Sequence, residues 1–75
     1  MYCVRDVVAN MHAEPWCAVS EAVAKRRFDY ILRSQKEINP TDLQLYAVGT
    51  INIETGVVTA IDPPQFVLQG VASDA

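Results

Sequence analysis

The chain holds few of the residues from which most active sites are assembled. There is one histidine, His12, in 75 residues, and two cysteines, Cys3 and Cys17. With one imidazole left to serve every role, no Ser–His–Asp or Cys–His arrangement can be argued. No CxxC spacing or further ligand accompanies it, which argues against a zinc site. The three glycines, Gly49, Gly56 and Gly70, stand alone, so no glycine-rich loop can cradle a phosphate. No apolar run approaches the roughly 18 residues needed to span a bilayer. The start, Met1-Tyr2-Cys3-Val4-Arg5-Asp6, has neither a basic head before a long apolar stretch nor a cleavage site. These absences predict a cytoplasmic protein that is not an enzyme and has no cofactor, metal, membrane or small-molecule substrate. Two cysteines are also too few for a disulfide framework, so both read as reduced, strand-borne thiols that pack as small apolar groups.

What is present is enough for one folded domain. Apolar residues make up 51% of the chain, which argues against disorder. At this length folding buries only about 60% of the unfolded surface, so stability is marginal without self-association. The net charge is −3. Taken whole, such a chain is a poor electrostatic partner for a phosphate backbone.

Residues 2–9 are β-rich, with Tyr2, Val4, Asp6 and Val8 alternating against Cys3, Arg5 and Val7. Either set must carry a charge, and Cys3 and Val7 are taken as inward. Residues 10–15 read as a connector, and Pro15 starts a short second strand over residues 16–19. Trp16 is expected to anchor the core over the sheet edge. Ser20 is a helix N-cap with Glu21 in the first turn. The stretch that follows is free of Gly and Pro, and Ala24, Phe28, Ile31, Leu32 and Gln35 gather on one stripe facing the sheet. The helix must end before Asn39-Pro40.

The third strand is long. Leu43, Leu45, Ala47, Ile51 and Ile53 alternate onto the core face, with Gln44, Tyr46, Val48, Thr50 and Asn52 opposite. Gly49 marks a bulge, or a close approach by the helix or by Trp16. Glu54-Thr55-Gly56 closes a hairpin whose glycine supplies a positive φ. The fourth strand runs over residues 57–61 and stops at Asp62-Pro63-Pro64. Residues 65–68 dock as an extended edge segment or form an arm for a second copy, and residues 70–75 fray. The fold is therefore α+β: a small antiparallel sheet of four strands, five if 65–68 joins it, with one helix on one face in the order β-β-α-β-β. A single domain spans residues 1–75, with its ordered core over residues 2–68.

The charge is uneven. Residues 20–36 hold five cations against two carboxylates, net +3, and the remainder holds one against seven, net −6. A basic helix meeting nucleic-acid phosphates would use Arg26, Arg27, Arg33 and Lys36, with Tyr30 on the flank. Against that, Glu21, Lys25, Asp29, Arg33 and Glu37 alternate in sign at i,i+4 spacing and neutralise one another along a ridge. An exposed Tyr46 beside Val48 can stack on a base or meet a neighbouring subunit. Phe66 and Leu68, in the segment after the prolines, complete a candidate interface.

Three elements of the chain resemble the small nonstructural protein of the gokushovirus-type microviruses, which are single-stranded DNA phages. They are Tyr2-Cys3-Val4-Arg5-Asp6, Arg26-Arg27-Phe28, and Pro40-Thr41-Asp42-Leu43-Gln44-Leu45-Tyr46-Ala47-Val48-Gly49 ahead of the Gly-turned hairpin. The resemblance implies a nonstructural protein of the host cytoplasm acting in phage DNA synthesis or in the switch to packaging. Some members of that family are called DNA-binding. In physical terms the matching residues look structural: Pro40-Thr41-Asp42 sets a turn, Leu43 and Leu45 fill the core, and Gly49 lets backbones approach.

Two readings follow. In the first, the protein contacts single-stranded DNA through its basic helix. In the second, it is a homodimeric module that docks on a phage or host replication or assembly protein without touching DNA. They differ in whether the helix cations are free or held in the i,i+4 ladder.

Overall fold

The computed structural model of the chain describes residues 1–35 and 37–71. Four strands and one α-helix form an α+β fold: β1 (Tyr2–Asp6), β2 (Met11–His12), α1 (Glu21–Ser34), β3 (Leu43–Ile51) and β4 (Val58–Gln69). The sheet is antiparallel throughout, in the order β2-β1-β3-β4, so the first strand lies in the interior and the last at an edge.

Local chemistry explains most boundaries. The Asp6 carboxylate accepts from the Val8 and Ala9 N–H groups at 3.0 and 3.1 Å, and Asn10 takes a left-handed φ of 56°. Together they turn the chain back, ending β1 at Asp6 rather than at residue 9 and placing β2 inside the expected connector. Residues 16–19 are not a strand, because Trp16 makes only one bridge, to Tyr2, with two 2.8 Å backbone bonds.

Ser20 caps α1 as expected, its Oγ accepting from the Val23 N–H at 3.2 Å. A short 3-10 turn, Pro40–Asp42, leads into β3, with Asn39 Oδ1 accepting from the Thr41 N–H at 3.0 Å. The hairpin after β3 turns at Asn52. Its Oδ1 accepts from the Glu54 and Thr55 N–H groups, and Gly56 has φ 77°.

Ala24 and Phe28 on α1 pack with Val4, Leu43 and Leu45, and only Phe28 and Leu45 are large and fully enclosed. Tyr2, Trp16, Ile31, Leu32, Ile38, Val67 and Leu68 surround this cluster. The inward face of β1 is therefore that of Tyr2 and Val4. Cys3 is also buried, but on the opposite side of the sheet, where its partner across the ladder is Tyr46. Asp6 can share the helix side because its carboxylate is occupied by the turn.

Two expectations about the second half need correction. Pro63 and Pro64 do not end β4, which continues to Gln69, so residues 65–68 dock against β3 as its continuation. The prolines are tolerated because β4 is an edge strand and they fall in a bulge. Ala47 pairs with Gln65 and Gly49 with Ala60, leaving residues 61–64 opposite Val48 alone. Gly49 does mark a bulge, one of the alternatives its position offered, and the close approach there is by β4 itself: an added Cβ would lie 2.8 Å from the Thr59 carbonyl oxygen. Beyond it, Ile51 and Ile53 are exposed, because the hairpin extends past the reach of α1.

The ordered fold also extends past residue 68. Gly70 is buried and its N–H donates to the Leu43 carbonyl at 2.8 Å. The rest of the segment expected to fray, residues 72–75, lies outside the described residues.

Candidate nucleic-acid interface

The helix cations are largely engaged. Lys25 Nζ lies 3.7 Å from Glu21 Oε2, and Arg33 Nη2 lies 3.0 Å from Asp29 Oδ2. The alternating ridge thus forms two separate pairs and goes no further than Arg33, because α1 ends at Ser34, before Glu37. Arg27 leaves the ridge and lays its guanidinium 4.7 Å from the ring centroid of Trp16. Such cation–π stacking fixes the guanidinium over the indole. Arg26 and Tyr30 remain exposed on the outer face, one turn apart, and among the described residues Arg26 makes no ion pair. Lys36 lies outside the described residues. Of the five residues expected to form a basic contact, α1 therefore offers Arg26 and Tyr30 in an uncommitted state.

A different surface lies on the far side of the sheet. Ladder partners share a face, and the register places Cys3, Arg5, His12, Gln44, Tyr46, Phe66 and Gln69 together there. Tyr46 is central. The His12 ring meets it edge-on at 5.6 Å and the Phe66 ring at 5.8 Å, with interplanar angles of 78° and 82°. Phe66 is 51% exposed.

The polar groups of this face hold one another in place. Gln44 Nε2 donates to Gln69 Oε1 at 2.9 Å, the Tyr46 hydroxyl donates to Gln44 Oε1 at 3.2 Å, and Gln69 Nε2 donates to the Thr41 carbonyl at 2.9 Å. Arg5 Nη2 donates to Asn10 Oδ1 at 2.8 Å. Arg5 is the sole charged side chain among these ladder positions, and none is a carboxylate. An acidic protein thus keeps its acids out of the paired positions of one sheet face, although Asp62 sits in the β4 bulge. Burial beneath this face raises the pKa of the Cys3 thiol.

Of the four residues expected at an interface, Tyr46 and Phe66 meet here and half-buried Val48 follows on the same side of β3. Leu68 does not join them. It pairs with Leu45 and packs on the helix side, because Val67 is an extra residue that shifts the register between Leu45 and Tyr46. Sequence reasoning missed His12 and Arg5. Their placement follows from β2, a two-residue strand with no periodic signal of its own.

A groove of about 560 Å³ opens between α1 and the β1–β2 hairpin, with Val4, Ile31, Ile38 and Leu43 lining it and Trp16 and Arg27 among its walls. Among the described residues no cluster of three or more His, Cys, Asp or Glu side chains is grouped to hold a metal. No helix among them is long and apolar enough to cross a membrane.

These features define a small α+β protein with an aromatic sheet face, free of carboxylates at its ladder positions, and a helix that pairs two of its own cations. The model of the family described as phage ORF5 protein matches residues 1–73, and the chain belongs to that family. It is thus a bacteriophage protein, of an accessory kind. No curated protein and no solved structure matches it. The Pro40–Asp42 turn, the buried Leu43 and Leu45, and the crowded Gly49 have structural roles, as their residue types led one to expect.

Proposed function

We propose that this phage accessory protein serves single-stranded DNA synthesis or packaging in the host cytoplasm by holding single-stranded DNA on the open face of its sheet. It acts as a binding protein, not an enzyme. The observation that carries this reading is the His12–Tyr46–Phe66 row, set beside Arg5 on a face with no carboxylate at its ladder positions. Aromatic rings on a sheet stack unpaired bases at about 1–3 kcal/mol per base. One arginine supplies little more than one phosphate contact. The log–log salt slope expected is then about −0.7 per phosphate neutralised, far shallower than a basic helix would give.

Fluorescence anisotropy of a labelled single-stranded oligonucleotide tests this at low and moderate salt. The wild-type chain binds with shallow salt dependence, Phe66→Ala weakens binding by about 5-fold or more, and Arg26→Glu/Arg27→Glu leaves it largely intact. Loss of binding in the arginine variant with Phe66→Ala unaffected would return the contact to α1.

A second reading has its own support: a dimeric interaction module that docks on a phage or host replication or assembly protein without DNA. The Lys25–Glu21 and Arg33–Asp29 pairs and the uncovered apolar hairpin favour it. A flat titration at low salt, where phosphate contacts are strongest, leaves that reading standing.

A further inference from the structure

The β3–β4 hairpin extends past the helix and is left uncovered. Ile51 and Val58 face each other across the ladder on the helix side, both exposed, and Val57 beside them is exposed as well. The outer edge of β4 has no strand beyond it. Natural edges refuse partners chiefly by charged side chains, prolines and bulges. Residues 61–64 carry all three of these devices: the charged Asp62, Pro63-Pro64 and the bulge. Residues 58–61, Val-Thr-Ala-Ile, carry no charge and no proline. The opposite edge, β2, is only two residues long.

We infer that a second copy of this chain occupies the 58–61 edge, pairing β4 against β4 in antiparallel fashion about a two-fold axis normal to the sheet. The stretch suits itself as a partner. Antiparallel pairing of one segment with its own copy is self-complementary and closes at two subunits. With the axis at Thr59, each Thr59 faces its own copy, Val58 faces Ala60, Val57 faces Ile61, and each Asp62 falls opposite the Gly56 of the other copy, so ladder partners share a face and no carboxylates meet. The proline bulge bounds the pairing and so sets its register. On the helix side the two Ile51–Val58 pairs merge into one apolar strip. On the other side the two Tyr46–Phe66 rows come to share one continuous surface, which lengthens the DNA platform. That last consequence rests on the function proposed above; the interface itself does not.

Sedimentation of the full chain over a concentration series up to millimolar tests the pairing. Thr59 is exposed and pairs with Thr50 on the open face, so its replacement leaves the core untouched. The wild-type chain sediments as a dimer. Thr59→Lys and Thr59→Glu each sediment as a monomer with unchanged circular dichroism, and an equimolar mixture of the two restores the dimer. In the wild-type chain, amides of residues 58–61 gain hydrogen-exchange protection as concentration rises. A wild-type monomer at every concentration overturns the proposal. So does a dimer that survives both substitutions, a mixture that stays monomeric, or exchange at 58–61 that ignores concentration. A dimer that binds no oligonucleotide removes the DNA reading alone, and a monomer that binds one removes the interface alone.

Discussion

Cys3 and Gly70 show how single positions constrain this small domain. The buried Cys3 thiol sits across from Tyr46 with its pKa raised by loss of solvent. A neutral thiol costs nothing to bury, so its contribution is fully present below the ordinary thiol pKa near 9.0 and is lost as pH rises through the raised value. Thermal unfolding of the wild-type chain should show stability falling over that alkaline window, and Cys3→Ala should lack the fall. Alkylation at neutral pH should modify exposed Cys17 well before Cys3. At Gly70 an added Cβ would lie 2.2 Å from the Pro40 carbonyl oxygen and 2.7 Å from that of Leu43. Both obstacles are backbone, so Gly70→Ala should cost about 3 kcal/mol or more in chemical denaturation. Leu45→Ala, at a fully enclosed site, should cost about 2–5 kcal/mol.

Among the elements, α1 and the β3–β4 turn were the most legible. Ser20 announces the helix because its hydroxyl can satisfy an N–H that the first turn leaves free, and Ser20→Ala should cost about 1 kcal/mol. Gly56 announces the turn because it alone there must take a positive φ. Two strands resisted reading for different reasons. Two-residue β2 is created by the Asp6 and Asn10 turn, and so few residues have no measurable alternation. The second half of β4 lies behind two prolines, which forbid a central strand but not an edge one. Whether a strand is an edge depends on the sheet order, which a linear pattern does not carry. The same blindness hid how the open face of the sheet is assembled. The i,i+4 charge ladder of α1 was plain in the chain, whereas the row of His12, Tyr46 and Phe66 is assembled from three strands. One consequence is practical. Deleting residues 65–75 to probe an interface would remove half of β4 and its pairing with β3, so it tests folding and not association.

For the molecule as a whole, charge is sorted by surface. The helix carries the cations but neutralises Lys25 and Arg33 within itself, each pair worth about 0.3–0.5 kcal/mol and weakened by salt. The sheet's open face carries one cation and no ladder carboxylate. Raising ionic strength should therefore lower helix stability slightly while barely altering oligonucleotide affinity. Parallel thermal melts and titrations over one salt series would check both.

The strand order β2-β1-β3-β4 bears on the timing of synthesis. The earliest of the four strands in the chain is an interior one, and its ladder partners run from Leu43 to Ala47. Until that distant stretch emerges, β1 has only a two-residue neighbour, and Val4 has no core to enter. The helix is made in the interval with its apolar stripe waiting for the same late arrival. Folding thus waits for β3, and it must then close the long loop between β1 and β3, a topology that favours slow, all-or-none assembly. A chain cut off after Ser34 would lack the whole of β3, and with it the β1–β3 ladder and the core under the helix.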